Sequence, residues 1–412
     1  MIFPRFIKSQ ILEAINDSPV VYICGARQVG KTTLVKQIVK ENHFAHYLSL
    51  DDLTTRSAAM TDPNGFLQGY KDPIVLDEVQ LVPELFPAIK KMVDENRRPG
   101  RFLITGSANV LTLPRISESL AGRLALFTLY PLSQGELGKK TESYIDTMFS
   151  QKFFPTRLAD ENQIDLYTRV INGGYPEIQN RSTPARKEAW FKDYITTILQ
   201  RDIRELSNIN GLTQMPRLLE LLATRLTCLL NFADLSRAMQ IPQTSLKRYL
   251  TLFENTFLIQ RLPPWSGNLG KRLVKTPKVF FVDSGLVSYL LGIDTRLLDP
   301  QNKHLGPLLE NFVLSELLKQ ASWSLTNPKF FHFQSQTDQE VDIILENRQR
   351  RCVGIEVKAS STVRSEDFNA MRWLEKQMGD NFIRGIVLYT GFESLAFGKN
   401  LYALPVSALW CL

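Results

Sequence analysis

The stretch VVYICGARQVGKTTL, from Val20 to Leu34, decides how the amino-terminal part of this chain folds. Its first five residues are apolar and mostly β-branched or aromatic, which predicts a buried strand. The segment GARQVGKT follows, and a helical pattern comes after it. Glycines let a backbone curl so that its N–H groups face phosphate oxygens, and the amino end of a helix adds partial positive charge. A strand, this loop and a helix, in that order, predict a phosphate-binding loop.

The residue types of the loop indicate how it would bind ATP and Mg²⁺. Lys31 is expected to reach the β- and γ-phosphates, and the Thr32 hydroxyl is expected to bind Mg²⁺. The predicted nucleotide site consists of Gly25, Ala26, Arg27, Gln28, Val29, Gly30, Lys31, Thr32 and Thr33, together with Asp77 and Ser107 from later strands.

A second apolar strand, residues 74–76, ends in two acidic residues. Such a strand is expected downstream of a phosphate-binding loop. Asp77 is predicted to hold Mg²⁺, directly or through water, and Glu78 to polarise the attacking water as a general base. Two solvated carboxylates at a strand end are the alternative, but their occurrence together with the loop argues against it.

A third strand, residues 101–105, and the residues that follow it supply a candidate sensor of the γ-phosphate. Thr105, Ser107 and Asn109 are polar and come at the carboxyl end of this strand. Ser107 is favoured for the sensing role. The alternative is an ordinary polar turn.

Arg123 follows a glycine and precedes another strand, residues 124–129. An arginine at this place is a candidate for stabilising charge on a transferring phosphoryl group, in its own subunit or in a neighbouring one. The second case implies a homo-oligomer. A structural salt bridge explains a lone arginine equally well, and Arg115 is a weaker catalytic candidate.

The strands alternate with helical patterns, which predicts a parallel sheet covered by helices on both faces. The strings GARQVGKTT, IVLDEVQ, FLITGSAN and SLAGR, followed by LYPLSQGEL, resemble the core of AAA-type P-loop ATPases. More narrowly, they resemble a prokaryotic group in which a second, poorly characterised domain follows this core. The strings YTRVINGGYPE, YITTILQRDIREL and KVFFVDSGLVSYLLG are also similar to that group, so the resemblance covers nearly the whole chain. It implies ATP binding and hydrolysis.

Composition bears on location and partners. The chain has 412 residues, without any apolar run near the roughly 20 residues of a membrane helix. Its four cysteines are far apart and show neither metal nor disulfide spacing, so a cytoplasmic location without membrane association is expected. Residues 186–280 hold 15 Lys and Arg against 7 Asp and Glu, whereas the rest has 34 against 35. This local positive charge favours DNA as a partner, with a solvated basic surface as the alternative.

Residues 232–262 predict a winged-helix-like arrangement, in which two helices joined by a tight turn precede a strand. Ser245, Lys247 and Arg248 would lie on the recognition helix, where they could meet DNA. The further residues expected to contact phosphates are Arg261, Lys271, Arg272, Lys275 and Lys278. A protein–protein module or a lid on the ATPase is the alternative.

The carboxy-terminal residues contain a constellation of charged side chains. Glu310 lies on the apolar face of a predicted helix, where a carboxylate is costly unless it has a partner. Asp342 follows on a strand, and Glu356 and Lys358 share one face of the next strand. The three carboxylates are predicted to bind Mg²⁺ or Mn²⁺, and Lys358 to position the water for phosphodiester hydrolysis.

This order of residues resembles the PD-(D/E)XK nuclease superfamily, although Glu340 and Val341 stand before Asp342 where that pattern has a proline. The resemblance implies a restriction-endonuclease-like α/β domain. A nuclease-like fold kept for binding or oligomerisation, without cleavage, is the alternative.

The sequence therefore predicts an α/β protein of four parts. They are an AAA-type ATPase core at residues 1–150, a helical segment at 151–230, a winged-helix-like basic segment at 231–300 and a nuclease-like domain at 301–412. The expected function is ATP hydrolysis coupled to a metal-dependent, DNA-binding nuclease-like domain. The alternative is a non-cleaving ATP-dependent switch that binds a DNA or protein partner.

Overall fold

The structure, a computed structural model, describes two compact units. It covers residues 2–42, 46–107, 120–151, 153, 163–206, 212–267, 276–294, 302–335 and 339–412. The first unit comprises Arg5–Tyr130 with Thr251–Leu258, and the second comprises Pro131–Leu250 and Ile259–Leu412 with the first residues of the chain.

The first unit is built around a parallel sheet of five strands in the order β2-β3-β4-β1-β5. The strands are β1 Val20–Cys24, β2 His46–Ser49, β3 Ile74–Asp77, β4 Phe102–Gly106 and β5 Leu124–Thr128. Its helices are α1 Lys8–Ile15, α2 Lys31–Asn42, α3 Leu53–Thr61, α4 Pro63–Gln68 and α5 Leu85–Glu95. The predicted parallel sheet is confirmed, and the carboxyl ends of its strands share one edge.

Burial explains why the sequence revealed these strands so clearly. Every residue of β1, β3 and β4 is buried, and these strands are apolar except near the carboxyl ends of β3 and β4, where Asp77 and Thr105 lie. The edge strand β5 is only half-buried.

The second unit begins with helices. They are α6 Gln134–Gly138, α7 Tyr144–Phe149, α8 Gln163–Asn172, α9 Pro176–Gln179, α10 Pro184–Thr197, α11 Ile203–Leu206 and α12 Met215–Thr224. A π-helical turn, Ile198–Asp202, joins α10 to α11. The helical character predicted for this part of the chain is confirmed in the described residues.

The elements predicted for a winged helix are present. Helix α13, Phe232–Met239, ends at Gln240 in the left-handed conformation, and α14 spans Gln243–Asn255. Strand β6, Ile259–Leu262, then pairs antiparallel with β7, Lys278–Phe281. Whether these elements act as a winged helix remains a prediction.

The chain ends in a mixed sheet of six strands in the order β12-β13-β11-β10-β9-β8. The strands of this sheet are β8 Lys329–Gln334, β9 Glu340–Glu346, β10 Cys352–Lys358, β11 Phe382–Tyr389, β12 Leu395–Ala396 and β13 Leu401–Pro405. The helices of this part of the chain are α15 Ser284–Leu290, α16 Leu305–Ala321, α17 Asn369–Met378 and α18 Ala408–Cys411. Strand β9 pairs antiparallel with both β8 and β10, and β10 runs parallel to β11. The predicted β9–β10 hairpin is thus confirmed.

By its contacts the first unit ends at Tyr130, and the domain boundary at residue 150 stays a prediction. Residues that follow Tyr130 belong to the second unit because buried polar groups hold them to α16. The backbone N–H of Gln134 donates to Glu316 at 2.9 Å, and Lys319 donates to the Leu132 carbonyl at 3.1 Å. The second unit takes in residues 151–412 except Thr251–Leu258, and the division of these residues into parts 151–230, 231–300 and 301–412 stays a prediction.

One carboxyl group in this buried network makes stability depend on pH. Burial, reinforced by nearby Glu316, raises the pKa of Glu142 to about 8, although Ser133 and Gly135 donate hydrogen bonds to it. The folded protein therefore binds a proton that the unfolded chain releases at a lower pH. Stability from this group is full below about pH 4.5 and is lost as the pH rises through 8.

We expect Glu142→Gln, which mimics the protonated carboxyl, to remove this pH dependence. Relative to the wild type, the urea midpoint of the variant should rise progressively between pH 5 and pH 8. Parallel curves for the two proteins over this range would contradict a protonated Glu142.

Candidate functional site

The loop between β1 and α2 has a backbone that only glycine tolerates at its two ends. Gly25 has a φ of +152°, and a Cβ there would meet the Leu129 carbonyl oxygen at 2.2 Å. Gly30 has a φ of +98°. Gln28, between them, is also left-handed, with a φ of +62°. These angles turn the loop back on itself, so that helix α2 begins immediately at Lys31.

Lys31 lies across this loop. Its side chain is buried, and Nζ donates to the carbonyl oxygens of Gly25 and Ala26 at 3.0 and 2.9 Å. The predicted phosphate ligand is thus held at the concave side of the loop, at the edge of the sheet where the carboxyl end of β1 lies.

Asp77 is the hydrogen-bonding centre of this edge. Thr32 Oγ1 donates to its Oδ2 at 2.9 Å, and the Tyr47 hydroxyl donates to the same oxygen at 2.6 Å. Thr105 Oγ1 donates to the other carboxylate oxygen. The two predicted Mg²⁺ ligands, Thr32 and Asp77, are therefore neighbours although 45 residues separate them.

Glu78 follows in the left-handed conformation, with φ 61° and ψ 48°. Its backbone N–H donates to Thr105 Oγ1 at 3.0 Å, which aims the residue along the sheet edge. Gln80 Nε2 donates to Glu78 Oε2 at 2.5 Å and to Ser107 Oγ at 2.9 Å. Gln80 therefore links the predicted general base to the predicted sensor.

Sequence reasoning missed Gln80, although the quoted string IVLDEVQ contains it. The available signal was a polar amide two residues after an acidic strand end. Ser107 stays a predicted sensor, and its hydroxyl now has a contact that connects it to Glu78. Thr105 instead bonds Asp77 and the backbone of Glu78, and Asn109 lies outside the described residues.

Arg123 does not fit a catalytic role in its own site. It precedes β5, which runs parallel to β1 with Leu124 opposite Val20, so it lies at the amino end of the strands and the loop lies at the carboxyl end. Its Nε pairs with Asp94 at 2.5 Å. A salt bridge thus accounts for Arg123 within its own subunit, and a role toward a neighbouring subunit stays a prediction.

The four predicted carboxy-terminal site residues lie around one buried cluster. Asp342 Oδ2 accepts a hydrogen bond from the backbone N–H of Val357 at 2.9 Å, which ties β9 to β10. Lys358 pairs with Glu356 at 2.9 Å. Glu310 approaches from α16, where it interacts electrostatically with Asp342.

Lys278, at the start of β7, inserts its ammonium group into this cluster. Its Nζ lies 2.7 Å from Glu340 Oε1, 3.3 Å from Glu310 Oε1 and 3.8 Å from Asp342 Oδ1. The side chain is only 4% exposed. Sequence reasoning placed Lys278 on a DNA-contacting surface, which is wrong because its charge is buried among carboxylates. Among the described residues, no three His, Cys, Asp or Glu side chains are arranged to hold a metal ion.

Burial controls the protonation of this cluster. It raises the pKa values of Glu310 and Asp342, an effect that Lys278 opposes. Burial and the charge of Asp342 raise the pKa of Glu356 to about 8, against the influence of Lys358. Burial by itself would lower the pKa of Lys278, but the surrounding carboxylates raise it overall. The ammonium groups of Lys278 and Lys358 thus offset part of the carboxylate charge.

The basic residues of the winged-helix-like part are exposed on α14 and β6. Lys247 and Arg248 are exposed, Ser245 is half-buried, and Arg261 is exposed in β6. Lys247 also lies over the ring of Phe232, 5.5 Å from its centre. The other residues expected to contact phosphates, Lys271, Arg272 and Lys275, lie outside the described residues.

Comparison with known proteins divides the chain into three matches. Residues 17–138 match the family described as an AAA domain. Residues 163–297 match a domain of unknown function (DUF8612), and residues 305–409 match another (DUF4143). The first match covers the loop and all five parallel strands, so the first unit is an AAA-type P-loop ATPase domain that binds ATP.

Relatives match over almost the full length. The uncharacterized protein Rv2008c of Mycobacterium tuberculosis is 33% identical over 406 residues, which cover 98% of this chain and 84% of the relative. The chain belongs to the same family as this mycobacterial protein. The uncharacterized protein MJ1544 of Methanocaldococcus jannaschii is 22% identical, with 96% of this chain and 88% of the relative covered.

Among solved structures, a Walker-type ATPase of Pyrococcus abyssi is similar, at 13% identity and a TM-score of 0.44, with 70% of this chain and 96% of that chain covered. Within the part of the chain that the structure describes, no helix combines the length and the apolar character needed to cross a bilayer.

We expect Gly25→Ala to weaken ATP binding at least tenfold, because its Cβ would displace the Leu129 carbonyl and strain the loop. A fluorescent ATP analogue titrated into the purified protein measures this. Gly69→Ala is the matched control, since its Cβ would meet only ordinary contacts at 3.4 Å or more. Equal affinities for wild type and Gly25→Ala would contradict the described loop geometry.

Proposed function

We propose that this protein is an ATP-hydrolysing switch whose nucleotide turnover controls how its second unit engages DNA. The observation that carries the proposal is the continuous set of contacts along the carboxyl edge of the parallel sheet. It connects Thr32 through Asp77 and Thr105 to Glu78, and Glu78 through Gln80 to Ser107.

The residues at this edge suit hydrolysis of the γ-phosphate. Lys31 would exchange its carbonyl partners for phosphate oxygens. Thr32 and Asp77 offer the hard oxygen ligands that Mg²⁺ prefers, and they already lie within hydrogen-bonding distance of each other. The bound ion would neutralise charge on the phosphates. Glu78 would accept the proton of the water whose oxygen attacks the γ-phosphorus, with ADP as the leaving group.

Gln80 would couple ATP binding to hydrolysis, because it contacts both the general base Glu78 and the sensor Ser107. While its amide donates to Glu78, one carboxylate oxygen of the general base is occupied by Gln80, which also donates to Ser107. A γ-phosphate that hydrogen-bonds Ser107 would compete for this contact and release Glu78. Binding of ATP would therefore be sensed by the same three side chains that carry out its hydrolysis.

We expect Glu78→Gln to keep ATP affinity and to reduce hydrolysis by about 10²–10⁴-fold, because only the general base is lost. Lys31→Ala should lose both. Phosphate release and analogue titration measure the two quantities separately. Glu84→Gln, an exposed glutamate of the same unit, should change neither. Normal hydrolysis by Glu78→Gln would exclude Glu78 as the base.

DNA is the favoured partner because basic side chains are presented on a helix–turn–helix followed by a two-stranded hairpin. Lys247 and Arg248 are exposed on the second helix, and Arg261 is exposed on the first strand of the hairpin. This placement supports phosphate contacts beside a recognition helix. A protein partner for the same surface is the competing possibility.

We expect Lys247→Ala with Arg248→Ala to weaken duplex binding and to lower the slope of log K against log salt by about 2, since each lost phosphate contact removes about 0.9. Fluorescence anisotropy at several salt concentrations measures this. The control pair is Lys376→Ala with Lys399→Ala, two exposed lysines elsewhere in the same unit. An unchanged slope would argue against DNA at this surface.

A second candidate function, metal-dependent cleavage of DNA, is favoured by the order of elements at the carboxy terminus. The order of these elements is similar to that of nuclease domains. Helix α16 comes first, the three strands β8, β9 and β10 with antiparallel neighbours follow, and then come helix α17 and strand β11, which is parallel to β10. Asp342, Glu356 and Lys358 converge on one side, and the donor set suits Mg²⁺ or Mn²⁺. The arrangement around Lys278, however, leaves no group of three carboxylates to a metal, so cleavage takes second place to binding.

A further inference from the structure

Hydrogen bonds between strand β7 and helix α16 fix the position of Lys278 in the cluster. Strand β7 is fastened to α16 by Asn311, whose Oδ1 accepts from the N–H of Phe281 at 2.7 Å and whose Nδ2 donates to the carbonyl of the same residue at 3.1 Å. Asn311 is the neighbour of Glu310 on the helix. The strand that carries Lys278 is therefore held at a set distance from Glu310.

The ammonium group lies where a cation shared by several carboxylates must lie. Three carboxylate oxygens, from Glu310, Glu340 and Asp342, surround it within 3.8 Å. With Lys278 in place these side chains are not arranged to hold a metal ion, but carboxylate oxygens are the ligands that a hard divalent ion prefers. Lys278 and such an ion would therefore compete for the same carboxylates.

Electrostatics favours the resident lysine. A metal ion entering beside Lys278 would meet the positive charge of its ammonium group at contact distance. Removing Lys278 would leave the largely buried carboxylates of Glu310 and Asp342 without their ammonium partner, which is unfavourable. The Lys278 side chain thus excludes a metal ion from the cluster and stabilises the fold.

We propose that Lys278 is an intramolecular counter-cation that takes the place of a divalent metal ion among Glu310, Glu340 and Asp342. This face of the domain is accordingly metal-free in the folded protein. The inference argues against metal-dependent cleavage, the second candidate function, and it depends on neither ATP hydrolysis nor DNA binding.

The test replaces Lys278 with a neutral side chain of similar length, Lys278→Met, and measures Mn²⁺ binding without ATP or DNA. Titration followed by the EPR signal of free Mn²⁺ counts bound ions. Asp342→Asn is introduced into both the wild type and Lys278→Met. The number of ions that each Asp342→Asn variant binds is then subtracted, because those ions are bound elsewhere, such as at Asp77. We expect wild type and Asp342→Asn to bind equal numbers, and Lys278→Met to bind one ion more than the double variant.

Thermal unfolding gives a second readout. Lys278→Met should have a lower Tm than the wild type and should regain roughly 5 °C or more when Mn²⁺ exceeds its Kd about a hundredfold. The wild-type Tm should change by less than about 1 °C. Lys319→Met is the matched control, because Lys319 is another buried lysine. It pairs at 2.6 Å with Glu316, and both residues lie on helix α16. It should lose stability without any Asp342-dependent response to Mn²⁺.

Two results would overturn the inference. One is a wild-type protein that binds one ion more than Asp342→Asn, since Lys278 then excludes nothing. The other is a folded Lys278→Met that gains no Asp342-dependent ion. If Lys278→Met does not fold, Lys278→Gln takes its place, and if neither folds, the comparison of wild type with Asp342→Asn decides alone. All these results are independent of the ATPase and DNA assays.

Discussion

The second unit depends on the burial of helix α16 together with its polar side chains. Glu310, Asn311, Glu316 and Lys319 are all at most 9% exposed. A buried polar group without a partner costs about 1–3 kcal/mol, and more if it is charged, so the helix can be buried only if other segments supply partners. Those segments come from distant parts of the sequence: residues 132–134, the strand β7 and the hairpin that carries Asp342.

This requirement explains why segments with different sequence character form one unit. The string LYPLSQGEL looks like the end of the ATPase core, yet most of it belongs to the second unit because Leu132 and Gln134 satisfy groups on α16. The basic segment likewise contributes Lys278 to an acidic cluster. Lys278, which the count of basic residues assigned to a DNA-binding surface, is therefore buried in an ion-pair cluster. The exposed basic surface is smaller than that count suggests.

The ATPase site shows the opposite case, in which local sequence carries nearly all the information. A loop that needs left-handed glycines and a strand that ends in acid each have a local signature, so Gly25, Lys31 and Asp77 were visible without a structure. Gln80 had only a weak signature, because its role depends on Ser107 from another strand. For Arg123 the sequence left a catalytic role and a salt bridge open, because it does not reveal which edge of the sheet a residue faces, and the structure shows the pair with Asp94.

The sequence by itself determined the buried strands, their order along the chain, the phosphate-binding loop and the order of the carboxy-terminal charges. Each of these follows from short-range spacing and from burial of apolar runs. Only the tertiary structure decided that Lys278 enters the carboxylate cluster, that Gln80 joins Glu78 to Ser107, and that residues after Tyr130 belong with α16. Electrostatic pairing acts through space over a few ångströms, so residues that are 32 or 182 positions apart become partners without leaving a periodic trace in the sequence.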